Sequence, residues 1–201
     1  MFGAMMFSWL QGAGFYRDLH RQAVESLPEG EGRQWIDMGC GPGLVTRLAT
    51  ARGYVASGID ADAQMVRAAR LLSWWHRSAA RFRQGDLAGL PAQAAEVVSA
   101  ASLLAVLDDK AEGLQLLWRG VRPGGHLLLV EPTAKMTPEN AAALIQAGLP
   151  GRRRRGLTLW ARARNQRALE PELFTQLRAT ETRSMPLLGG LVGAWIFRKP
   201  A

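Results

Sequence analysis

The sequence predicts an α/β fold in which a largely parallel sheet carries helices on both faces. Apolar runs that read as strands alternate with segments of helical periodicity from Trp35 onward, and this alternation is typical of βαβ units. Three of the predicted strands end in an acid, at Asp37, Asp60 and Asp86. Because the carboxyl ends of parallel strands lie at one edge of a sheet, we expect the three acids to face one ligand.

The order of the elements follows from their local patterns. Strands are predicted near 34–38, 54–59, 80–84, 95–102 and 125–131, and helices near 43–51, 62–72, 110–120 and 137–147. Asp62 is the expected cap of the second of these helices. After Pro150 the pattern changes to a basic segment at 151–168, a short helix opened by Pro171, and two strands at 179–186 and 191–198 joined across Gly189-Gly190.

The turn after the first strand is the most informative feature. Residues 35–43 read WIDMGCGPG, so an apolar run ends in an acid and three glycines follow at alternate positions. Glycine permits a positive φ, and its missing Cβ lets a ligand lie against the main chain. A dinucleotide-binding turn needs glycine at position 44, where this chain has Leu44, which disfavours an oxidoreductase. Asp37, two residues before Gly39, suits an ammonium or sulfonium group better than a phosphate.

The D-x-G-x-G-x-G arrangement from Asp37 to Gly43 resembles the first motif of class I S-adenosylmethionine (SAM) methyltransferases. Three further stretches agree with that family in order, at 54–60, 82–87 and 121–132. The core is similar to the group that includes ubiquinone/menaquinone-biosynthesis methyltransferases (methyltransferase type 11). The resemblance implies a Rossmann-like, seven-stranded, mostly parallel sheet with an antiparallel C-terminal hairpin. It also implies SAM as cofactor and S-adenosylhomocysteine as its product.

The resemblance assigns roles to the strand-tip acids. Asp60 is expected to accept both ribose hydroxyls, and Asp86 to accept a hydrogen bond from the adenine amino group, with the Leu87 N–H beside the ring. The residues expected to bind the cofactor are Asp37, Gly39, Cys40, Gly41, Gly43, Asp60, Ala61, Met65, Gly85, Asp86, Leu87 and Ala101.

No general base can be identified at the end of the fourth strand. The Asn/Asp-Pro-Pro-aromatic motif of amino-methyltransferases is absent there, and the histidines that many small-molecule relatives carry are replaced by Leu104 and Ala105. Tyr16 and His20 share a helical face four residues apart, and relatives often place an N-terminal tyrosine over the methionine part of SAM. Both are therefore candidates for catalysis or substrate binding, and a half-buried helix face is the alternative.

The basic character is concentrated in one segment. The net charge is +8, and residues 152–167 contain seven arginines and no acid. Three interpretations stay open: a solvated insertion, a surface for RNA phosphates or anionic lipid on which Trp160 stacks or inserts, or direct binding of a substrate carboxylate or phosphate. The candidate substrate residues here are Arg152, Arg155 and Trp160.

The organisation expected is one methyltransferase domain over 1–201. It consists of an N-terminal helical cover at 1–30, a SAM-binding core at 31–148, a basic substrate-side insertion at 149–170, and a C-terminal helix and hairpin at 171–201. The lone cysteine, Cys40, fits a reducing cytoplasm. The uncharged start of the chain fits neither a signal peptide nor a spanning helix, although a peripheral membrane contact stays open. No metal site is expected.

The function predicted from the sequence is SAM-dependent methyl transfer to a small lipophilic or anionic molecule. One alternative is an RNA (tRNA) methyltransferase that uses the basic patch from Arg152 to Arg167. The alternative of another class is a SAM-binding partner protein without turnover. The methyl acceptor and the oligomeric state are not determined by the sequence.

Overall fold

The computed structural model describes residues 2–201, and the side chains of 6–170 and 172–201. Its centre is one seven-stranded sheet in the order β3-β2-β1-β4-β5-β7-β6. The strands are β1 Gln34–Met38, β2 Val55–Asp60, β3 Arg81–Gln84, β4 Ala95–Ala101, β5 Val121–Pro132, β6 Glu181–Leu187 and β7 Val192–Arg198. Strands β1 to β5 are parallel, and β7 is antiparallel to both β5 and β6. The predicted fold class is thereby confirmed.

The helices cover both faces of this sheet. They are α1 Phe2–Leu10, α2 Gly14–Glu25, α3 Leu44–Ala51, α4 Ala63–Trp75, α5 Lys110–Gly120, α6 Pro138–Gln146 and α7 Gly156–Arg164. Asp62 caps α4 as predicted, since its side chain accepts a hydrogen bond from the Gln64 N–H at 2.7 Å. The same local chemistry begins α6, where Thr137 accepts from the Asn140 N–H and Pro138 stands at the first helical position.

Four differences from the sequence prediction exceed a shift of one or two residues at an element end. Helix α4 continues three residues further, to Trp75, and β5 begins at Val121 rather than 125 because its pairing with β4 passes through an irregularity between Ala95 and Val97. The basic segment contains a helix, α7, which the run of basic residues in the sequence did not predict. The element that opens at Pro171 is a 3-10 helix rather than an α-helix.

The described core consists mainly of two large clusters, one on each side of the sheet, with a small third cluster around Val66 and Phe82. One cluster packs α1, α2, α3 and α7 against one face, with Trp35 and Trp160 among its fully buried side chains. The other packs α5 against the opposite face around Leu114, Leu117 and Phe197. The chain therefore brings an N-terminal helix pair and the basic segment to the same side of the sheet. Among the described residues, no helix combines the length and apolar composition needed to cross a bilayer.

Candidate functional site

A cavity of about 350 Å³ lies at the carboxyl ends of β1, β2 and β4. The chain runs outward from β1 to β3 in one direction and from β4 to β5 in the other, so the cavity occupies the point where the strand order reverses. Of the twelve residues expected to bind cofactor, eleven line this cavity: Asp37, Gly39, Cys40, Gly41, Asp60, Ala61, Met65, Gly85, Asp86, Leu87 and Ala101. The exception is Gly43.

The three glycines of the turn differ in what they do. Gly41 has φ 50°, and a Cβ built on it would meet nothing within 4 Å, so the main chain there is open to a ligand. A Cβ on Gly39 would come 2.8 Å from the Leu103 side chain. Gly43 has φ 80° and precedes α3, and a Cβ on it would come 2.5 Å from the Phe82 ring. Gly43 is therefore required for packing, which explains its absence from the cavity wall.

The carboxylate of Asp60 is held by two main-chain donors. Its Oδ2 accepts the Gly41 N–H at 2.8 Å and its Oδ1 accepts the Asp62 N–H at 2.9 Å. Asp86, an exposed side chain at the next strand tip, accepts the Gly89 N–H at 2.9 Å. Each carboxylate oxygen has a further lone pair, so both acids keep capacity to accept hydrogen bonds from a ligand in the cavity.

Asp37 is buried beneath the turn, and its side chain forms hydrogen bonds only with uncharged groups of the described residues. Its two oxygens accept hydrogen bonds from the Thr46 and Ser99 hydroxyls, each at 2.8 Å. Burial raises the pKa of Asp37 to about 6, although the hydroxyls favour the charged form, and the negative charge of Asp60 raises this pKa further. A cation placed in the cavity would stabilise the ionised carboxylate.

The thiol of Cys40 also lines the cavity. Cys40 is 8% exposed, and its Sγ lies 3.5 Å from the Gly41 carbonyl oxygen. Burial, followed by the negative charges of Asp37 and Asp60, raises the pKa of the Cys40 thiol. The group is therefore a neutral thiol at physiological pH, which disfavours a nucleophilic role.

Tyr16 and His20 from α2 reach the same cavity. Their ring centroids are 4.4 Å apart. His20 Nδ1 lies 2.7 Å from the Tyr16 carbonyl oxygen, and since a carbonyl only accepts, Nδ1 donates and Nε2 is left with its lone pair. Burial lowers the pKa of His20 to about 4 and raises that of Tyr16 above its usual value. Both side chains are therefore neutral at pH 7.

The structure places the four consecutive arginines, Arg152 to Arg155, outside the cavity. Arg152 and Arg155 do not line the cavity but border a separate open groove beside Trp9 and Gly12. Trp160 is 1% exposed and packs on the Tyr16 ring at a centroid distance of 5.1 Å. The idea that Trp160 stacks a base or enters a membrane is therefore wrong. Trp160 and the apolar residues at helical spacing from it form the buried face of α7.

Arg164 is the charged residue of the cavity wall that the sequence pattern did not predict. It lies one turn after Trp160 on the same face of α7 and lines the cavity. Its Nε is buried without an acceptor among the described residues. Its Nη1 donates to the neighbouring Ala163 carbonyl at 3.3 Å, and its Cζ lies 5.4 Å from the centroid of the Phe7 ring. No described carboxylate lies within ion-pair distance of it. Burial lowers the pKa of Arg164, while the charges of Tyr16 and Glu131 act in the opposite direction. Its charge thus has acidic groups nearby but no direct ion pair with any described residue.

Glu131, at the end of β5, supports the cavity wall from behind. It is 0% exposed and accepts hydrogen bonds from the N–H groups of Leu104 and Ala105, at 2.9 and 3.2 Å. In the sequence, these two positions lack the histidines that many small-molecule relatives carry. Burial raises the pKa of Glu131 to about 7. The remaining lining residues absent from the prediction are Phe7, Gln11, Met38, Pro42, Leu44, Val45, Ser102, Leu103, Val106 and Leu107.

The donor set of the cavity fits an adenosyl cofactor with a cationic tail. Two strand-tip carboxylates can accept hydroxyl or amino donors, Gly41 leaves its main chain open, and Asp37 would be stabilised by an ammonium group. Among the described residues, no group of three or more His, Cys, Asp and Glu side chains is arranged to hold a metal ion.

The sheet order, the antiparallel last pair and the glycine turn after β1 define the class I methyltransferase fold. The structure of phosphoethanolamine N-methyltransferase 2 from Haemonchus contortus, a complex with S-adenosyl-L-methionine, is similar with a TM-score of 0.71 over 99% of this chain and 57% of that one. At 13% identity this likeness shows the fold alone. Residues 36–129 match the family model described as Methyltransferase domain.

Curated proteins named as methyltransferases are also similar to part of this chain. The malonyl-[acyl-carrier protein] O-methyltransferase of Enterobacter lignolyticus is 30% identical over 130 residues, which are 62% of this chain and 50% of the relative. The trans-aconitate 2-methyltransferase of Azoarcus sp. is 33% identical over 115 residues, which are 56% of this chain and 44% of the relative. The chain thus spans about half the length of the curated relatives that it matches.

Proposed function

We propose that the protein transfers the methyl group of SAM to a small molecule that carries a carboxylate. One observation carries the proposal: a single cavity is lined both by the residues that suit an adenosyl cofactor and by Arg164, an arginine without an ion-pair partner among the described residues. Arg164 is suited to this task because a guanidinium binds a carboxylate through two parallel hydrogen bonds.

The cofactor would occupy the end of the cavity at the strand tips. Asp60 would accept the ribose hydroxyls, Asp86 the adenine amino group, and Asp37 would lie nearest the ammonium of the methionine part. When bound, SAM supplies a methyl group that its sulfonium activates for displacement. The main tasks of the protein are then to align the acceptor with that methyl group and to exclude water.

The acceptor would occupy the end formed by Tyr16, His20 and Arg164. A carboxylate is ionised at neutral pH and needs no general base to become a nucleophile. In the transfer, an acceptor oxygen forms the new bond to the methyl carbon, and the bond from that carbon to sulfur breaks. This agrees with the neutral His20, whose pKa of about 4 makes it a weak base. It also agrees with relatives whose names describe O-methylation.

RNA methylation draws less support from the geometry. The four consecutive arginines line a groove outside the cavity, and the tryptophan that would stack a base is buried. The non-catalytic alternative predicts SAM binding without product, which the following experiment separates from turnover.

The test measures formation of S-adenosylhomocysteine with a panel of small mono-, di- and tricarboxylates. For an accepted substrate, Arg164→Gln should raise KM about 10- to 100-fold, because a charge-assisted hydrogen bond contributes about 1.5–3 kcal/mol, and should leave SAM affinity unchanged. Arg162→Gln, an exposed neighbour on α7, is the matched control. SAM binding without product from any carboxylate would refute the proposal, and an unchanged KM in Arg164→Gln would remove Arg164 from the acceptor site.

A further inference from the structure

The C-terminal end of α4 exposes an apolar patch that the proposed reaction does not use. Trp74 and Trp75 are each 73% exposed and Leu71 is 63% exposed, the largest exposures among the described large apolar side chains. Two adjacent exposed tryptophans are uncommon on a monomeric surface and mark an interaction site. None of these three side chains lines the cavity, so the proposed reaction does not account for their exposure.

The patch is continuous with the basic segment. Trp74, Trp75 and Arg77 border one groove, and Arg77 borders a second groove together with Trp9 and Arg153. Trp9 and Arg153 in turn border the groove formed by the four consecutive arginines. Arg153 donates to the Trp9 carbonyl oxygen and its Cζ lies 5.4 Å from the centroid of the Trp9 ring. We call the residues lining these three linked grooves, with Leu71, the tryptophan–arginine face.

The ionised side chains that line this face are basic. Seven arginines line its grooves and none of the described lining residues is acidic; the arginines are Arg17, Arg47, Arg77, Arg152, Arg153, Arg154 and Arg155. Residues 63–85, which contain the exposed patch, also include no acid. The partner must therefore be anionic and must also accept exposed apolar side chains.

We propose that the tryptophan–arginine face binds the surface of an anionic lipid bilayer. Indole rings favour the boundary between headgroups and hydrocarbon, arginines pair with anionic headgroups, and the exposed aliphatic side chain of Leu71 gains from hydrocarbon but not from a nucleic-acid base. Helix α1, which has no charged residue, contributes Phe7 to the cavity and Trp9 to this face. Bilayer contact would therefore bring the cavity cover to the membrane surface.

The test is co-sedimentation with vesicles of phosphatidylcholine, with and without phosphatidylglycerol. We expect binding only to the vesicles that contain phosphatidylglycerol, weakened by salt because exposed charges are screened. Trp74→Ala with Trp75→Ala should lower the partition coefficient at least about tenfold, since an apolar side chain contributes about 1.5–3 kcal/mol on burial. Val55→Ala, a 43% exposed position on β2, is the matched apolar control.

The contribution of charge is tested separately. Arg152→Ala with Arg154→Ala should lower partitioning about 30-fold, at about 1 kcal/mol per arginine. Arg119→Ala with Arg178→Ala removes the same charge from exposed positions outside the face and should have little effect. Circular dichroism and melting temperature establish that each variant is folded. Failure to bind the anionic vesicles, equal binding by the tryptophan variant, or arginine-dependent binding of an RNA oligonucleotide without vesicle binding would each overturn the proposal.

Discussion

Burial and the positive charge of a ligand have opposite effects on the ionisation of the Asp37 carboxyl. Buried under the glycine turn, it has a pKa raised to about 6, so near neutral pH its carboxylate is ionised but poorly compensated. An ammonium group in the cavity would supply the missing charge. Cofactor binding and ionisation of Asp37 are then linked, since the cation favours the ionised form and the ionised form favours the cation.

SAM affinity should therefore depend on pH. Below a pH of about 6 the Asp37 carboxyl is protonated, so affinity should fall as pH decreases from 7 to 5, approaching about tenfold per pH unit. Calorimetric titration with SAM across this range measures the dependence. Ser99→Ala removes a hydrogen bond that lowers the pKa of Asp37 and should move the inflection to higher pH. An affinity that is constant from pH 5 to 8 in the wild type would contradict the pairing.

Among the elements, the end of β5 and the short 3-10 helix Leu104–Val106 are joined by one buried side chain. Glu131 accepts both N–H groups at the start of that helix. Leu103 and Val106, at its two ends, line the cavity. The wall beside the candidate acceptor site is thus positioned by Glu131, although Glu131 does not itself line the cavity.

Glu131→Ala should lower the free energy of unfolding by about 2–4 kcal/mol, because two buried N–H donors lose their acceptors. Glu131→Gln retains one acceptor oxygen and should lose less. Urea unfolding followed by circular dichroism measures both. Glu25→Ala, an exposed position on α2, is the control. A Glu131→Ala protein as stable as the wild type would show that the N–H groups find other acceptors.

The sheet and thirteen of the lining residues, including Tyr16 and His20, could be predicted because their signals are local. Strand tips, caps and positive-φ glycines are set by a few neighbouring residues, as Asp62 and Gly41 illustrate. The position of Arg164 could not be predicted in this way, because it depends on α7 packing on α2 through Trp160 and Tyr16. In the sequence, Arg164 is one arginine among seven, and only the helical spacing from Trp160 distinguishes it.

At the scale of the whole molecule, the cavity is lined by residues that are far apart in the sequence. Its walls extend from Phe7 in α1 to Arg164 in α7, and the sheet supplies the strand tips between them. A ligand that contacts all of these parts stabilises the folded chain and not the unfolded one, so binding must raise the melting temperature.

S-adenosylhomocysteine at about 100 times its Kd should stabilise the protein by about 2.7 kcal/mol. For a chain of this size that corresponds to a rise in Tm of about 5–10 °C. NAD at the same concentration should produce no shift, because Leu44 replaces the glycine that a pyrophosphate turn requires. Differential scanning fluorimetry compares the two ligands, and Asp60→Asn should reduce the shift. Equal shifts with both ligands would refute the assignment of the cavity.

The ionisation state of the Cys40 thiol decides whether the proposed reaction could methylate the protein itself. A protein that binds an alkylating reagent exposes its own nucleophiles to methylation, and a thiolate is the most reactive of those that side chains offer. Cys40 lines the cavity, yet burial and two neighbouring carboxylates raise its pKa. The environment that would receive the sulfonium therefore also keeps the sulfur protonated, which protects the protein from modifying itself.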